Sequence, residues 1–259
     1  MRPALRVVAA LTIAVLAAGC GLGKKVVIPT CSAGTPTGVG RYLVTPEQAA
    51  NAATIAAMGR RSGLGSHAVT VALATAFQES HLHNLPYGDR DSIGLFQQRP
   101  SQGWGTREQI LQPQRSSAAF YARLAKVPRW ASLPVTDAAQ AVQRSAAPLA
   151  YAQWEEPARA LARAFTGEVP AGLSCTLTPP NGPLSATTVL AAAASDLGPQ
   201  ALQHAVSTPA LDWSEATWLV AHAQDLSVRA VSAQGQSWTA ASGRRTADRT
   251  AVVNGVTFR

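Results

Sequence analysis

The apolar positions of this chain fall into blocks whose spacing changes along its length. Val7 to Ala18 is apolar behind Arg2 and Arg6, and is shorter than the roughly 20 residues a membrane-spanning helix needs. Ala17-Ala-Gly-Cys20 follows with small residues, so residues 1–20 have the layout of an export signal and are set apart from the fold. Gly, Pro, Thr and Ser then dominate as far as Gly40, which predicts a flexible tether over 21–44.

A helical pattern begins with Thr45 as N-cap, Pro46 in the first turn and Gln48 completing a capping box, and runs through Ile55 and Met58. Gly63 and Gly65 interrupt it. A second helix starts near Ser66 and carries the low-polarity run from Ala68 to Phe77, which closes on Gln78-Glu79-Ser80. A Gly-rich polar loop, Tyr87 to Gly105, comes next. Thr106 and Gln109 offer another capping box, 116–126 a helix carrying Phe120 and Leu124, and Thr136-Asp137 opens a short helix through Val142. A last helix over 157–165 is ended by Gly167. This predicts a mainly α domain over 45–168, of ordinary domain size.

Beyond a Pro- and Gly-rich linker, 169–185, the texture changes. Two helices are expected, over 186–206 and 213–224. Val228 to Ser232 then alternates, Gln234-Gly-Gln reads as a hairpin turn, Ser237-Trp-Thr pairs back, and Val252 to Phe258 is another short strand or hairpin. The expected fold is thus a mainly α domain followed by a small α+β module over 186–259. The module carries no catalytic set, which leaves binding of wall or of a partner as its expected role.

With 259 residues, 47% of them hydrophobic, the chain can bury a proper core. Its formal charge of +8 falls to +6 once Arg2 and Arg6 leave with the signal, and Lys24, Lys25 and Lys126 are its lysines. A basic exported protein is drawn to anionic polymers such as wall phosphates and lipid head groups. The scattered arginines form no basic helix or aromatic-basic motif, which argues against nucleic acid. Of three cysteines, Cys20 ends the signal, and Cys31 and Cys175 remain as an even pair for an oxidising compartment. A disulfide and two free thiols are both open on spacing alone.

Glu79 carries the candidate chemistry. A carboxylate closing an apolar helix is costly to bury unless its surroundings are arranged for it, and such groups are enriched at active sites. Helical spacing puts Glu79 on one stripe with Ala72, Thr75 and Ala76, small residues that leave room for a substrate. The bland alternative is a capped or ion-paired structural glutamate.

Glu79-Ser80, followed by Ile93-Gly94-Leu95-Phe96-Gln97, resembles the Glu-Ser and Gly-Leu-Met-Gln motifs of the soluble lytic transglycosylase and goose-type lysozyme superfamily. The fuller phrase from Tyr87-Gly-Asp-Arg-Asp-Ser to Gln97-Gln-Arg-Pro-Ser-Gln-Gly-Trp-Gly105 is similar to one in actinobacterial wall proteins of that kind. Ala17-Ala-Gly-Cys20 likewise resembles a bacterial lipoprotein box, with Ala17 where such boxes carry Leu, so lipidation of Cys20 and an ordinary signal-peptidase cut both stay open. The resemblance implies a lysozyme-like domain in an exported enzyme that cleaves peptidoglycan glycan strands without a cofactor. It also implies a lipid anchor on the outer face of the cytoplasmic membrane, with other wall enzymes as candidate partners.

Carried over by motif, Glu79 is the expected acid, Ser80 a hydroxyl orienting the substrate, and Gly94, Leu95, Phe96 and Gln97 a strand-like wall against the N-acetyl sugar. Glycoside cleavage needs a protonated carboxyl at the leaving oxygen, which an apolar setting supplies by raising its pKa. A transglycosylase reuses that residue as base on the 6-hydroxyl, whereas hydrolytic muramidases usually employ a second carboxylate. Asp89 and Asp91 are the candidates for that second role, and turn capping or a local ion-pair cluster around Arg90 is the alternative. Gln143 stands where transglycosylases show Asn in Ala-x-Asn-Ala-Gly, and Tyr151 is the candidate for a tyrosine steadying the acid.

Trp104, Phe96, Tyr87 and Trp154 are aromatic enough to stack on sugar, Trp104 best of them in its Gly-flanked loop, although such side chains more often belong to the core. His81 and His83 beside Glu79 hint at metal, but positions two apart on a helix diverge and no ligand cluster joins them. No metal is therefore expected. Two rivals to the enzyme are a wall-binding protein that keeps the cleft without turnover and a metal-binding lipoprotein.

Overall fold

The computed structural model describes residues 28–34, 40–178, 182–204, 207–250 and 254–259. The expected export signal, with Cys20, lies outside them. Within the expected tether, Thr30–Gly34 (β1) and Arg41–Val44 (β2) form strands. They join Leu173–Thr176 (β3), from the expected linker, in an antiparallel sheet of order β2-β1-β3. Alternation explains this correction: Cys31, Ala33, Leu173 and Cys175 all lie on the buried face, too apolar a set to stay solvated. Cys31 and Cys175 are cross-strand partners and form a disulfide, consistent with an exported protein.

Helix α1, Pro46–Arg61, opens with the expected capping box: the Gln48 amide donates to Thr45 Oγ1 (3.2 Å), and Gln48 Oε1 accepts from the Thr45 amide (2.8 Å). Its buried alanines let Ser66–Ser80 (α2) pack closely against it. Val69, Val71 and Leu73 of α2 are fully buried, about 2 kcal/mol of hydrophobic stabilisation each. Then come Arg107–Ile110 (α3), capped by Thr106, Pro113–Leu124 (α4), Val135–Gln143 (α5) and Glu155–Phe165 (α6). Helix α4 starts before residue 116 because Pro113 suits the first helical turn. Helix α6 continues a 3-10 turn, Ala152–Trp154, that begins ahead of Pro157.

Ala186–Leu197 (α7) stops well short of residue 206, because Gly198 at φ +110° breaks it. Pro209–Ala221 (α8) follows. Ala230–Ala233 (β4) and Gln236–Thr239 (β5) form the expected hairpin, with Gln234 and Gly235 both at positive φ in its two-residue turn. Arg245–Ala247 (β6) and Val256–Phe258 (β7) complete a second antiparallel sheet, β6-β5-β4-β7. Eight helices and two small sheets among the described residues make a mixed α+β fold. Among them no helix is long and apolar enough to cross a membrane.

The C-terminal segment shares one core with what precedes it. Helices α7 and α8 pack on α1, and α8 also on α6 and β3. Buried Asp196 of α7 fastens the arrangement: it accepts from Thr54 Oγ1 (2.7 Å) on α1, Gln114 Nε2 (2.8 Å) on α4 and Trp218 Nε1 (2.9 Å) on α8. A carboxylate this deep is tolerable only with such donors around it.

Candidate active site around Glu79

Helix α2 carries Glu79 to its last turn and ends as His81 and Leu82 adopt left-handed backbone, φ +51° and +61°. Polar residues of α1 hold that turn. Gln48 Nε2 donates to the His81 carbonyl (2.9 Å) and Asn51 Nδ2 to the Leu82 carbonyl (2.8 Å). The direction in which Glu79 leaves the helix is therefore fixed from outside it.

Two side chains reach the carboxyl from distant segments. Tyr151 Oη donates to Glu79 Oε1 at 2.8 Å, and Gln143 Nε2 donates to the same oxygen at 3.2 Å. Gln143 also donates to the Phe96 carbonyl at 2.8 Å, tying α5 to the loop after α2. No described residue donates to Oε2. Burial raises the pKa of Glu79 above its ordinary value, against the pull of the Tyr151 and Gln143 bonds, which favour the charged form. Burial, then the negative charge of Glu79, push the Tyr151 hydroxyl upward too, so it stays a donor. The result is a carboxyl held through one oxygen with its other oxygen free, inclined to carry a proton.

The loop expected to form a strand-like wall is instead the tip of a narrow hairpin. Ile93 and Gln98 exchange backbone hydrogen bonds of 3.0 and 2.9 Å, and Gly94, Leu95, Phe96 and Gln97 turn between them. Gly94 has φ +78°, and a Cβ there would meet the Ile110 carbonyl at 2.9 Å. Leu95 and Phe96 are fully buried, Phe96 stacked on Phe120, because their bulk is worth more in the core than in the cleft. Ser80 serves this hairpin: its hydroxyl is buried and donates to the Leu95 carbonyl (2.8 Å), so it positions the loop rather than facing a substrate. Gln97 Nε2 closes the turn on the Gly94 and Tyr87 carbonyls (3.2 and 3.3 Å).

Asp91 is committed to the same loop. Its Oδ1 accepts from Arg99 Nε at 2.6 Å and its Oδ2 from the Ser101 amide at 2.8 Å, the backbone bond foremost holding its pKa well below the carboxylate range. Asp89 is exposed, 3.9 Å from Arg90. Trp104 is buried under the Arg123 guanidinium, 3.4 Å above its ring, which leaves it poorly placed to stack on sugar. His83 meets Glu47 at 3.1 Å while His81 lies edge-on to Trp154, so the two imidazoles serve different neighbours. Among the described residues no three metal-ligating side chains gather.

Sequence reasoning missed the contacts on the other side of α2. Gln78 Oε1 accepts from Trp154 Nε1 (2.8 Å) and Gln153 Nε2 (3.1 Å), and Trp154 stacks on Phe77 with ring centres 5.2 Å apart. Consecutive residues Gln78 and Glu79 are thus gripped by one turn of chain, 151–154. No local pattern announces such a pairing. The searches found no protein-family model and no curated protein that matches this chain.

Proposed function

We propose that this chain cleaves the glycan strands of peptidoglycan at the bacterial envelope, with Glu79 as general acid and then base, on a lysozyme-like framework over 45–168. One observation carries the reading: a single carboxyl with a raised pKa, held through Oε1 by Tyr151 and Gln143 and free at Oε2. Such a group can donate a proton to a glycosidic oxygen near neutral pH, which an ordinary exposed glutamate does poorly.

In this reading the Oε2 proton passes to the leaving oxygen as the bond to the sugar C1 breaks. The carboxylate left behind then accepts the proton of the muramic acid 6-hydroxyl as that oxygen bonds to C1, giving a 1,6-anhydro ring and restoring the acid. Tyr151 and Gln143 orient the carboxyl in both steps and stabilise its charged form between them. Asp91 favours this route over hydrolysis by a carboxylate pair, since both its oxygens already serve Arg99 and Ser101. Cys20 supplies a lipid anchor in the same proposal, and the disulfide fits an oxidising location.

Mass spectrometry of purified peptidoglycan after digestion tests the proposal. Products ending in 1,6-anhydro-muramic acid, lighter by one water than hydrolysed ends, support it. Reducing ends would reassign the enzyme as a muramidase, and no soluble product would leave a wall-binding protein.

A further inference from the structure

Strand β2 is one edge of its sheet, and no described backbone group pairs with its far side. The other edge, β3, is covered: the Leu177 amide donates to the Ala240 carbonyl (2.8 Å) and Trp238 Nε1 to the Cys175 carbonyl (3.0 Å). Along the open edge runs a groove of about 550 Å³. Three consecutive residues of β2, Tyr42, Leu43 and Val44, line it. Successive side chains of a strand point to opposite faces, so a groove touching all three follows the strand's edge rather than either face.

Phe77 and Trp154 form the opposite wall, and Glu156 closes it with a carboxylate that accepts from Tyr42 Oη at 2.7 Å. No Arg, Lys or His among the described residues pairs with Glu156, although the chain as a whole is strongly basic. A neighbouring hollow shares Glu156 and adds Glu155, while Arg159 there turns to Glu168 at 3.9 Å. Leu43 is 71% exposed, β2 carries no Pro or Lys, and its one charged residue, Arg41, is turned back onto β1, donating through Nε to Ser32 Oγ and through Nη2 to the Ser32 carbonyl (2.7 Å each).

We propose that this groove binds an extended peptide segment of a protein partner, added to β2 as a fourth strand, with an apolar side chain against Phe77 and Trp154 and an amine at Glu156. Backbone pairing supplies affinity in such additions, and the side-chain pockets supply choice. The unpaired acid in a basic molecule selects a cationic peptide over a neutral or acidic one.

The test is an NMR titration of the purified protein with a blocked pentapeptide alternating valine and lysine. Saturable binding with Kd below about 1 mM is expected, with shifts at Tyr42, Leu43, Val44 and the Trp154 indole and slowed amide exchange along β2. A pentapeptide alternating valine and glutamate, and the Glu156→Gln protein with the lysine peptide, should each bind about two- to fivefold more weakly, the scale of a lost charge pair at an exposed carboxylate. Absence of saturable shifts, or equal binding of the two peptides, overturns the proposal. So does a hexamer of N-acetylglucosamine that shifts these residues while the peptide does not, which would make the groove a sugar site.

Discussion

Tyr151 donates its hydroxyl proton to the Glu79 oxygen at 2.8 Å, across 72 residues of sequence, and so holds the acid from a turn of chain outside its own helix. That bond stabilises the carboxylate and lowers a pKa that burial has raised. Tyr151→Phe removes it without changing the packing, and the pKa of Glu79 should then rise further. In the proposed reaction the acid form acts in the first step, so the alkaline limb of the pH–rate profile should move to higher pH. Its maximum should fall by about tenfold or more as orientation is lost. An unmoved alkaline limb in a pH–kcat/KM series would deny Tyr151 this role.

The clamp on Asp91 makes an opposite prediction. Its depressed pKa means that the folded state holds the charged form, so its stabilising effect is present above the ordinary carboxylate pKa near about 4 and is lost as pH falls below it. Asp91→Asn should lower Tm at pH 7 and converge with the wild type in strong acid, as followed by circular dichroism. Activity at neutral pH should stay within about threefold. Inactivity of a folded Asp91→Asn protein would point to a second catalytic carboxylate.

The Cys31–Cys175 bond closes a separation of 144 residues. The chain-entropy account gives roughly 4 to 5 kcal/mol for a loop of that size, an upper figure because a reduced, unfolded chain keeps residual structure that the account leaves out. Cys31→Ser with Cys175→Ser should therefore lower the denaturant midpoint clearly, without a change in helix content below it. Equal midpoints under oxidising conditions would contradict the estimate.

Asp196 predicts how the chain unfolds. It joins α7 to α1, α4 and α8 through buried hydrogen bonds, so the two expected domains should melt together. Calorimetry should show one transition. Asp196→Ala should cost about 3 kcal/mol or more, since it leaves Thr54, Gln114 and the Trp218 indole without their acceptor. Two separate transitions in the wild type would contradict the shared core.

What the sequence disclosed followed from local physics. The capping box at Thr45, the left-handed turn at Gln234-Gly235 and the low-polarity run leading to Glu79 each depend on neighbours within a few residues. The long-range pairings were hidden: the sheet built from a Gly- and Pro-rich arm, the burial of α7 and α8 against α1, and Arg123 lying over Trp104. Within the candidate site, Tyr151 and Gln143 both donate to Glu79. Ser80, Leu95 and Phe96 do not face outward, because a hairpin this narrow needs their side chains and carbonyls to hold its own shape. A motif records which residues matter and is silent on whether they touch a ligand or each other.

The central claim is that Glu79 delivers a proton, and Glu79→Gln tests it most directly. Its raised pKa means that the folded state favours the neutral form, so its contribution to stability is present at low pH and lost as pH rises through the folded pKa. The glutamine protein should accordingly be at least as stable as the wild type at pH 7, which separates loss of chemistry from loss of fold. Turnover of purified peptidoglycan by the two proteins, measured at pH 7 and matched concentration, is the deciding comparison. The account predicts a fall of at least about 10² in rate with binding to the wall retained, whereas undiminished cleavage by Glu79→Gln would contradict it outright.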